Sequence, residues 1–487
     1  MKIKNTSGLE IQFLENGAVN SIEAGPVRIN LKPSSFLSDP GTNLFLRQRG
    51  KLPDYHPLTG PGSGSRFLVA DGNYISTGSW EGIDYECRLV PDDKKMNWQW
   101  QVEVKNNSGE PCELDMVYLQ DIGLKPVNAG LLNEYYVAQY LERLIFNDED
   151  FGKVVICRQN MKVATGHPWV MIACKNGAVS ACTDGMQFYG KTYRATGIPE
   201  GLISGSLGGE YAGESPVVAV QEKPFQLKPG ETHRSVFLGV YLPDHPGASS
   251  AADLKMLRMP DEMGFRPKGT PSLGTPSLFP LLPVTDLTET EIEYLFGKDR
   301  RHAEIVDDKL LSFFSGNNHI ILKNKEILAD RPHGHIMQAK AGLVPDEEIM
   351  ATTAFAFGVF NSHISQGNTN FNVLLSICTS QFNQARESGQ RIIVEIEGKK
   401  YLLGVPSAFE MGLNHCRWLY KFNDSIFQVR TWTSKSAPQI NMDFKIVDSD
   451  TVKSRVRLWI THDFDPLNKW KIFQGVEDCL YFALPEE

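Results

Sequence analysis

The chain has 487 residues, 22% charged and 41% hydrophobic, with a net charge of −9. That length predicts two or three domains, and the composition is that of a globular protein with ample material for sizeable cores. Basic residues are scattered rather than clustered, which argues against a nucleic-acid or other polyanionic partner. Residues 1–8 carry no apolar signal-peptide core, and the longest weakly apolar stretch, 351–360, is about half the length of a membrane-spanning helix. Eight cysteines without framework spacing or a CxxC pair predict reduced, mostly buried thiols in a soluble cytoplasmic protein.

Along the chain, period-two alternation dominates. Trp98, Trp100, Val102 and Val104 alternate with polar residues, which predicts a strand with one buried and one wet face. A turn at 106–111 follows, and Cys112, Leu114, Met116 and Tyr118 alternate on the way back. Residues 133–145 fit a helix, although their aromatic content leaves strand or loop open. Asn176-Gly177 between 170–174 and 178–182 is the strongest short hairpin signal. Ser250 and Asp253 form a capping-box pattern before a short helix that stops near Pro260. Six prolines and three glycines between positions 260 and 283 then read as an inter-domain linker. Thr288 and Glu291 cap a second helix ending about Gly297. Beyond it, 391–397 with 401–405, 416–422 with 427–431, and 440–446 with 452–460 read as strand pairs. The expected fold is therefore all-β dominated: a β-sandwich domain over 1–255, a Pro-rich linker with a helix over 256–309, and a second β-sandwich domain over 310–487.

Chemistry is harder to place. Gly185-Met-Gln-Phe-Tyr-Gly190-Lys191-Thr192 matches the phosphate-loop pattern letter for letter. Its middle residues are mostly bulky, and neither a following helix nor a βαβ unit surrounds it, so a nucleotide site is rejected. His333 and His335 could supply two metal ligands, but no third stands at readable spacing, and an ordered polar loop explains them better. No serine sits in a nucleophile-elbow pattern. Glycoside hydrolysis needs two placed carboxylates, and none of the 58 Asp and Glu is singled out by its surroundings. Trp98 and Trp100 read as core rather than as sugar-stacking platforms.

Several longer runs carry a resemblance. They are Asn133-Glu-Tyr-Tyr-Val-Ala-Gln-Tyr-Leu-Glu-Arg143, Gly152-Lys-Val-Val-Ile-Cys-Arg-Gln-Asn160, His167-Pro-Trp-Val-Met and Thr183-Asp-Gly-Met-Gln-Phe-Tyr-Gly-Lys191. In the second half they are Arg331-Pro-His-Gly-His-Ile336, Phe357-Gly-Val-Phe360, Gln366-Gly367 and Leu403-Gly-Val-Pro-Ser-Ala-Phe-Glu410. In this order they resemble the amino-terminal region of 1,2-β-oligoglucan phosphorylases, inverting enzymes of the cellobiose-phosphorylase type (glycoside hydrolase family ninety-four).

The resemblance implies supersandwich-type domains. It also implies phosphorolysis of β-1,2-glucooligosaccharides to α-glucose 1-phosphate, with inorganic phosphate as co-substrate and no other cofactor. One carboxylic acid would then suffice, because phosphate replaces the activated water. In such families that acid lies in an (α/α)6 barrel, which this sequence does not show before Glu487. No catalytic residue is therefore assigned, and activity is expected only with a barrel in cis or trans, in a homodimer. By the same resemblance, Asn133, Tyr135, Tyr136, Gln139, Asp184, Tyr189, Lys191 and Arg194 are the candidate substrate-binding residues. Their aromatics equally suit packing between sheets or at a dimer contact. A freestanding carbohydrate-binding or scaffold protein is the alternative reading, and an independent β-sandwich hydrolase or lyase a third.

Overall fold

A computed structural model describes residues 1–35, 37–38, 40–50, 54–126, 129, 138–258, 269–274, 279–339, 349–367, 375, 381–435, 437–448, 456–463, 471–474 and 480–483. It separates into two compact units. The first comprises Met1–Gly190 and Ile198–Leu278, and the second Lys191–Gly197 and Phe279–Glu487. Both are built of antiparallel sheets, as the alternation predicts, and among the described residues the longest α-helix is Glu289–Phe296. No helical barrel is present among them, and no helix is long and apolar enough to cross a membrane.

The first unit centres on one long sheet that curls over its own face. Asn97–Asn106 pairs with Ile83–Pro91 on one side and Thr232–Leu242 on the other. Cys112–Asp121 lies six places further along the strand order, between Val217–Glu222 and Thr42–Gln48. Yet the Trp98 indole N–H donates to the Tyr118 hydroxyl at 3.1 Å, and both rings are buried in one core. The two strands thus face each other across a sandwich instead of pairing edge to edge. The turn predicted at 106–111 is therefore an arch between layers rather than an edge-to-edge hairpin.

The same correction applies twice more. Trp169–Cys174 pairs with Gly152–Gln159 and Thr232–Leu242, whereas Ala178–Cys182 pairs mainly with Val217–Glu222. Asn176 explains why its turn opens: its side chain donates to the Arg234 carbonyl at 2.8 Å and accepts from Val236 N at 3.0 Å. Those bonds fix the turn to a third strand, while Gly177 takes the left-handed conformation at φ 88°. In the second unit, Ile440–Asp448 pairs with Ser425–Thr433, whereas Val456–His462 pairs with Gln390–Ile396 in another sheet. The other predicted pairs, Gln390–Ile396 with Lys399–Leu402 and His415–Phe422 with Ser425–Thr433, are hydrogen-bonded hairpins.

The wet face expected for the Trp98 strand is covered at one end. Trp98, Trp100, Val102 and Val104 are buried as predicted, but so are Asn97, Gln99 and Gln101, while Glu103 and Lys105 reach solvent. Val90 and Leu238, paired beside Gln99, are buried with it, so this part of the second face is a packed surface.

The helical signals were mostly local and mostly hold. Thr288 and Glu291 form a full capping box on Glu289–Phe296, whose Ile292 and Phe296 pack against Phe313 and Leu419. Ala251–Arg258 is a 3₁₀ helix, with Ser250 N bonded to the Asp253 carboxylate at 2.7 Å. Leu141–Asp148, at the end of the ambiguous 133–145 run, is a strand. Of the residues 256–309, Ser272–Leu273 adds a short strand to the first unit, and Arg301–Val306 is an edge strand of the second. Cys87, Cys157, Cys174, Cys182 and Cys416 are buried free thiols and Cys112 is half-buried; Cys378 and Cys479 lie outside the described residues.

Asp121 closes the end of its strand. Its Oδ2 accepts from Leu31 N at 3.0 Å and Lys32 N at 2.8 Å, while Oδ1 is buried without a partner among the described residues. Burial pushes its pKa up to about 6, against the pull of those backbone bonds. A folded-state pKa above the unfolded one favours the protonated group. Its stabilisation is therefore complete below the ordinary carboxylate range and is lost as pH rises through about 6. Urea unfolding is expected to show a loss on the order of 2–3 kcal/mol between pH 4 and pH 7, which Asp121→Asn flattens. An unchanged pH slope in that variant would remove Asp121 from the account.

Candidate functional site

The predicted site residues do not form one cluster. Asn133, Tyr135 and Tyr136 lie outside the described residues, and Gln139 is exposed on a helical turn. Asp184, Tyr189, Lys191 and Arg194 belong to an excursion that leaves the sheet after Ala178–Cys182 and returns before Val217–Glu222.

Asp184 starts this excursion as a helix cap. Its Oδ1 accepts from Met186 N at 2.8 Å, and its Oδ2 accepts from Arg143 at 3.0 Å and Ser215 N at 3.1 Å. Burial raises its pKa, opposed by the Met186 amide and the Arg143 guanidinium. Both carboxylate oxygens are thus engaged within the first unit. Tyr189 is buried as well, edge-on to the buried Phe188 at 5.0 Å.

The same geometry disposes of the phosphate-loop pattern. Gly185–Phe188 is a single four-residue helical turn, and the pattern's second glycine, Gly190, is at φ 71° with the Glu200 carboxylate packed against its Cα. A carboxylate occupies the side of the loop where an anion would need amides. A buried ion pair anchors the excursion's return. Arg47 makes a two-point contact with Asp115 at 2.7 and 2.8 Å, and its Nη1 donates to the carbonyls of Gly201 and Ser204 at 3.1 and 3.0 Å.

Lys191–Gly197, which belongs to the second unit, holds the other two predicted residues. Tyr193–Thr196 is one helical turn closed by Gly197 at φ 71°, a conformation that favours glycine. From it Arg194 reaches Glu326 at 3.4 Å, and both side chains are buried. The second guanidinium nitrogen donates to the Ala329 and Asp330 carbonyls at 2.5 and 3.2 Å. Lys191 pairs with Asp330 at 2.5 Å and donates to the Leu328 carbonyl at 3.3 Å, both near the surface. The bond from Lys191 holds the exposed Asp330 carboxyl below its usual range.

Sequence reasoning missed Glu326. It sits on the short helix Lys323–Leu328, and its Oε2 accepts from both the backbone N and the Nδ1 of His333, at 3.1 and 2.6 Å. The available signal was the Arg331-Pro-His-Gly-His run, whose first histidine this carboxylate orients. His319 stands near: burial first, then the charge of His333 and Lys325, depress its pKa. Among the described residues no group of three or more His, Cys, Asp or Glu is arranged to hold a metal ion. What the site presents is an oriented imidazole, an ammonium and a carboxylate at one surface.

Residues 12–239 match the SOGP N-terminal domain, and residues 298–462 match the glycoside phosphorylase supersandwich domain. With both domains in this order, the chain belongs to that glycoside phosphorylase family, as its amino-terminal part. Over 338 residues, 69% of this chain, it is 30% identical to the 1,2-beta-oligoglucan phosphorylase of Listeria innocua, and spans 30% of that protein's length. Among solved structures, a polysaccharide lyase is 9% identical at a TM-score of 0.31, covering 89% of this chain and 47% of its own. A bacterial glucoamylase complexed with acarbose is 10% identical at a TM-score of 0.34, over 53% of this chain and 34% of its own.

Proposed function

We propose that this chain is the carbohydrate-handling, amino-terminal part of a phosphorylase that cleaves β-1,2-glucooligosaccharides with inorganic phosphate, giving α-glucose 1-phosphate. The observation that carries this reading is the identity to the Listeria phosphorylase across 69% of the chain, with both family domains in order. Phosphate is the co-substrate, and no other cofactor is invoked. The general acid is supplied by a helical barrel, in cis or in trans, in a cytoplasmic homodimer of the glycoside hydrolase family ninety-four type. Of the predicted substrate residues, the exposed Gln139 and the half-buried Lys191 meet sugar directly. Asp184, Tyr189 and Arg194, all buried, hold the loops that present them.

The test is release of α-glucose 1-phosphate from β-1,2-glucooligosaccharides and phosphate by the 487-residue chain, alone and with the helical part of the Listeria relative added. No release alone and release on addition is expected. Robust release by the chain alone would place the general acid within these residues and overturn the division of labour. Glycan turnover without phosphate would make it a hydrolase or lyase instead.

A further inference from the structure

The second unit contains a buried carboxylate whose arrangement is more specific than packing requires. Glu326 is 1% exposed, and one of its oxygens takes both the backbone N–H and the Nδ1 of His333. Its other oxygen meets Arg194. A carboxylate on Nδ1 fixes the ring orientation and leaves Nε2 as the outward nitrogen, an acceptor when the ring is neutral. That nitrogen has no hydrogen-bond partner among the described residues, and the His333 side chain is 21% exposed. Three positions before His333 in the chain, Asp330 binds Arg194 through its carbonyl and Lys191 through its carboxylate. The outward imidazole, the ammonium and the carboxylate therefore share one short stretch of surface.

Near this surface Lys191 pairs with Asp330, Arg194 with Glu326, and Lys325 with Glu304 at 2.6 Å, and the exposed Arg331 adds a further cation. A free anion such as phosphate would meet the Asp330 carboxylate beside the Lys191 ammonium, which that carboxylate already neutralises. A neutral polyol is the better match, because each hydroxyl can donate to Asp330 or His333 and accept from Lys191. We infer that Lys191, Asp330 and His333 form a sugar-hydroxyl subsite on the second unit, with Glu326 as the positioning residue for His333. This rests on the oligoglucan reading given above and names the surface that would serve it.

The test uses the full chain, a β-1,2-linked glucotriose and, separately, inorganic phosphate. Calorimetric titration is expected to show glucotriose binding weakened about tenfold in His333→Ala and Lys191→Met, roughly the loss of one hydrogen bond each. Glu326→Gln, which keeps an acceptor for Nδ1, should weaken it less. In the unaltered chain, ¹⁵N resonances of His333 should show the Nδ1–H tautomer and shift at Nε2 on addition of glucotriose but not of phosphate. A purely structural role would lower the melting temperature of these variants without moving affinity or the Nε2 resonance. Unchanged affinity in both substitutions, or a response to phosphate alone, overturns this subsite while leaving the oligoglucan reading intact. No glucotriose binding by the unaltered chain overturns both.

Discussion

Replacing Asp115 with alanine is expected to lower the unfolding free energy by about 3–5 kcal/mol, the largest effect of any single substitution considered. Asp115 is fully buried and accepts from Arg47 through both oxygens, from Arg49 at 3.3 Å and from Gln221 at 2.9 Å. Removing it strands the Arg47 guanidinium, itself fully buried, among neutral groups. The loss extends beyond the pair, because Arg47 also binds the carbonyls of Gly201, Leu202 and Ser204. The double variant Asp115→Leu with Arg47→Met should recover part of the stability, since an apolar pair no longer buries an unpaired charge. It should not recover all of it, because those three carbonyls lose the guanidinium, although Gly201 keeps the Ser204 hydroxyl at 3.2 Å. Chemical denaturation of the three proteins checks this, and a loss below about 1 kcal/mol in Asp115→Ala would show that water or relaxation solvates Arg47.

Asp184→Ala is expected to cost about 3 kcal/mol, combining a lost helix cap of about 1 kcal/mol with a buried arginine deprived of its carboxylate. Arg143 would keep its bonds to the Thr183 and Gly213 carbonyls, which is why the cost falls short of a fully stranded charge. Asp184→Asn preserves the acceptor for Met186 N and should cost less. The two variants separate structure from recognition. A structural Asp184 loses stability in both and leaves glucotriose affinity of the folded protein unchanged. An Asp184 that touches sugar would instead lose affinity in Asp184→Asn with little change in stability.

The site was legible in pieces. Lys191 and Arg194 came from a resemblance, and the Arg331–Ile336 run was noted for its histidines, but nothing in the spacing tied them together. Arg194 and Glu326 are 132 positions apart in the chain. A buried carboxylate in a six-residue helix carries no local signature, since Lys323-Asn-Lys-Glu-Ile-Leu328 reads as an exposed turn. Burial is a tertiary property, so a Glu chosen from 58 acidic residues could be found only once the chain was folded.

By itself the sequence determined where most of the long strands run, which faces go inside and where the helices after Ser250 and Thr288 start. Those are local matters: side-chain alternation every second residue, a threonine and a glutamate three apart, an asparagine beside a glycine. The strand of Trp98 and Trp100 and the helix capped by Thr288 followed directly. The tertiary structure alone decided the partners. At 106–111 and at Asn176-Gly177 the chain reverses as predicted, yet the strands on either side join different layers or different neighbours, and Ile440–Asp448 and Val456–His462 likewise lie in different sheets. A turn signal states that the backbone doubles back. Whether the returning strand pairs through its edge or packs through its face depends on which other strands have already taken that edge, and here distant ones had: Thr232–Leu242 beside Asn97–Asn106, and Thr42–Gln48 beside Cys112–Asp121.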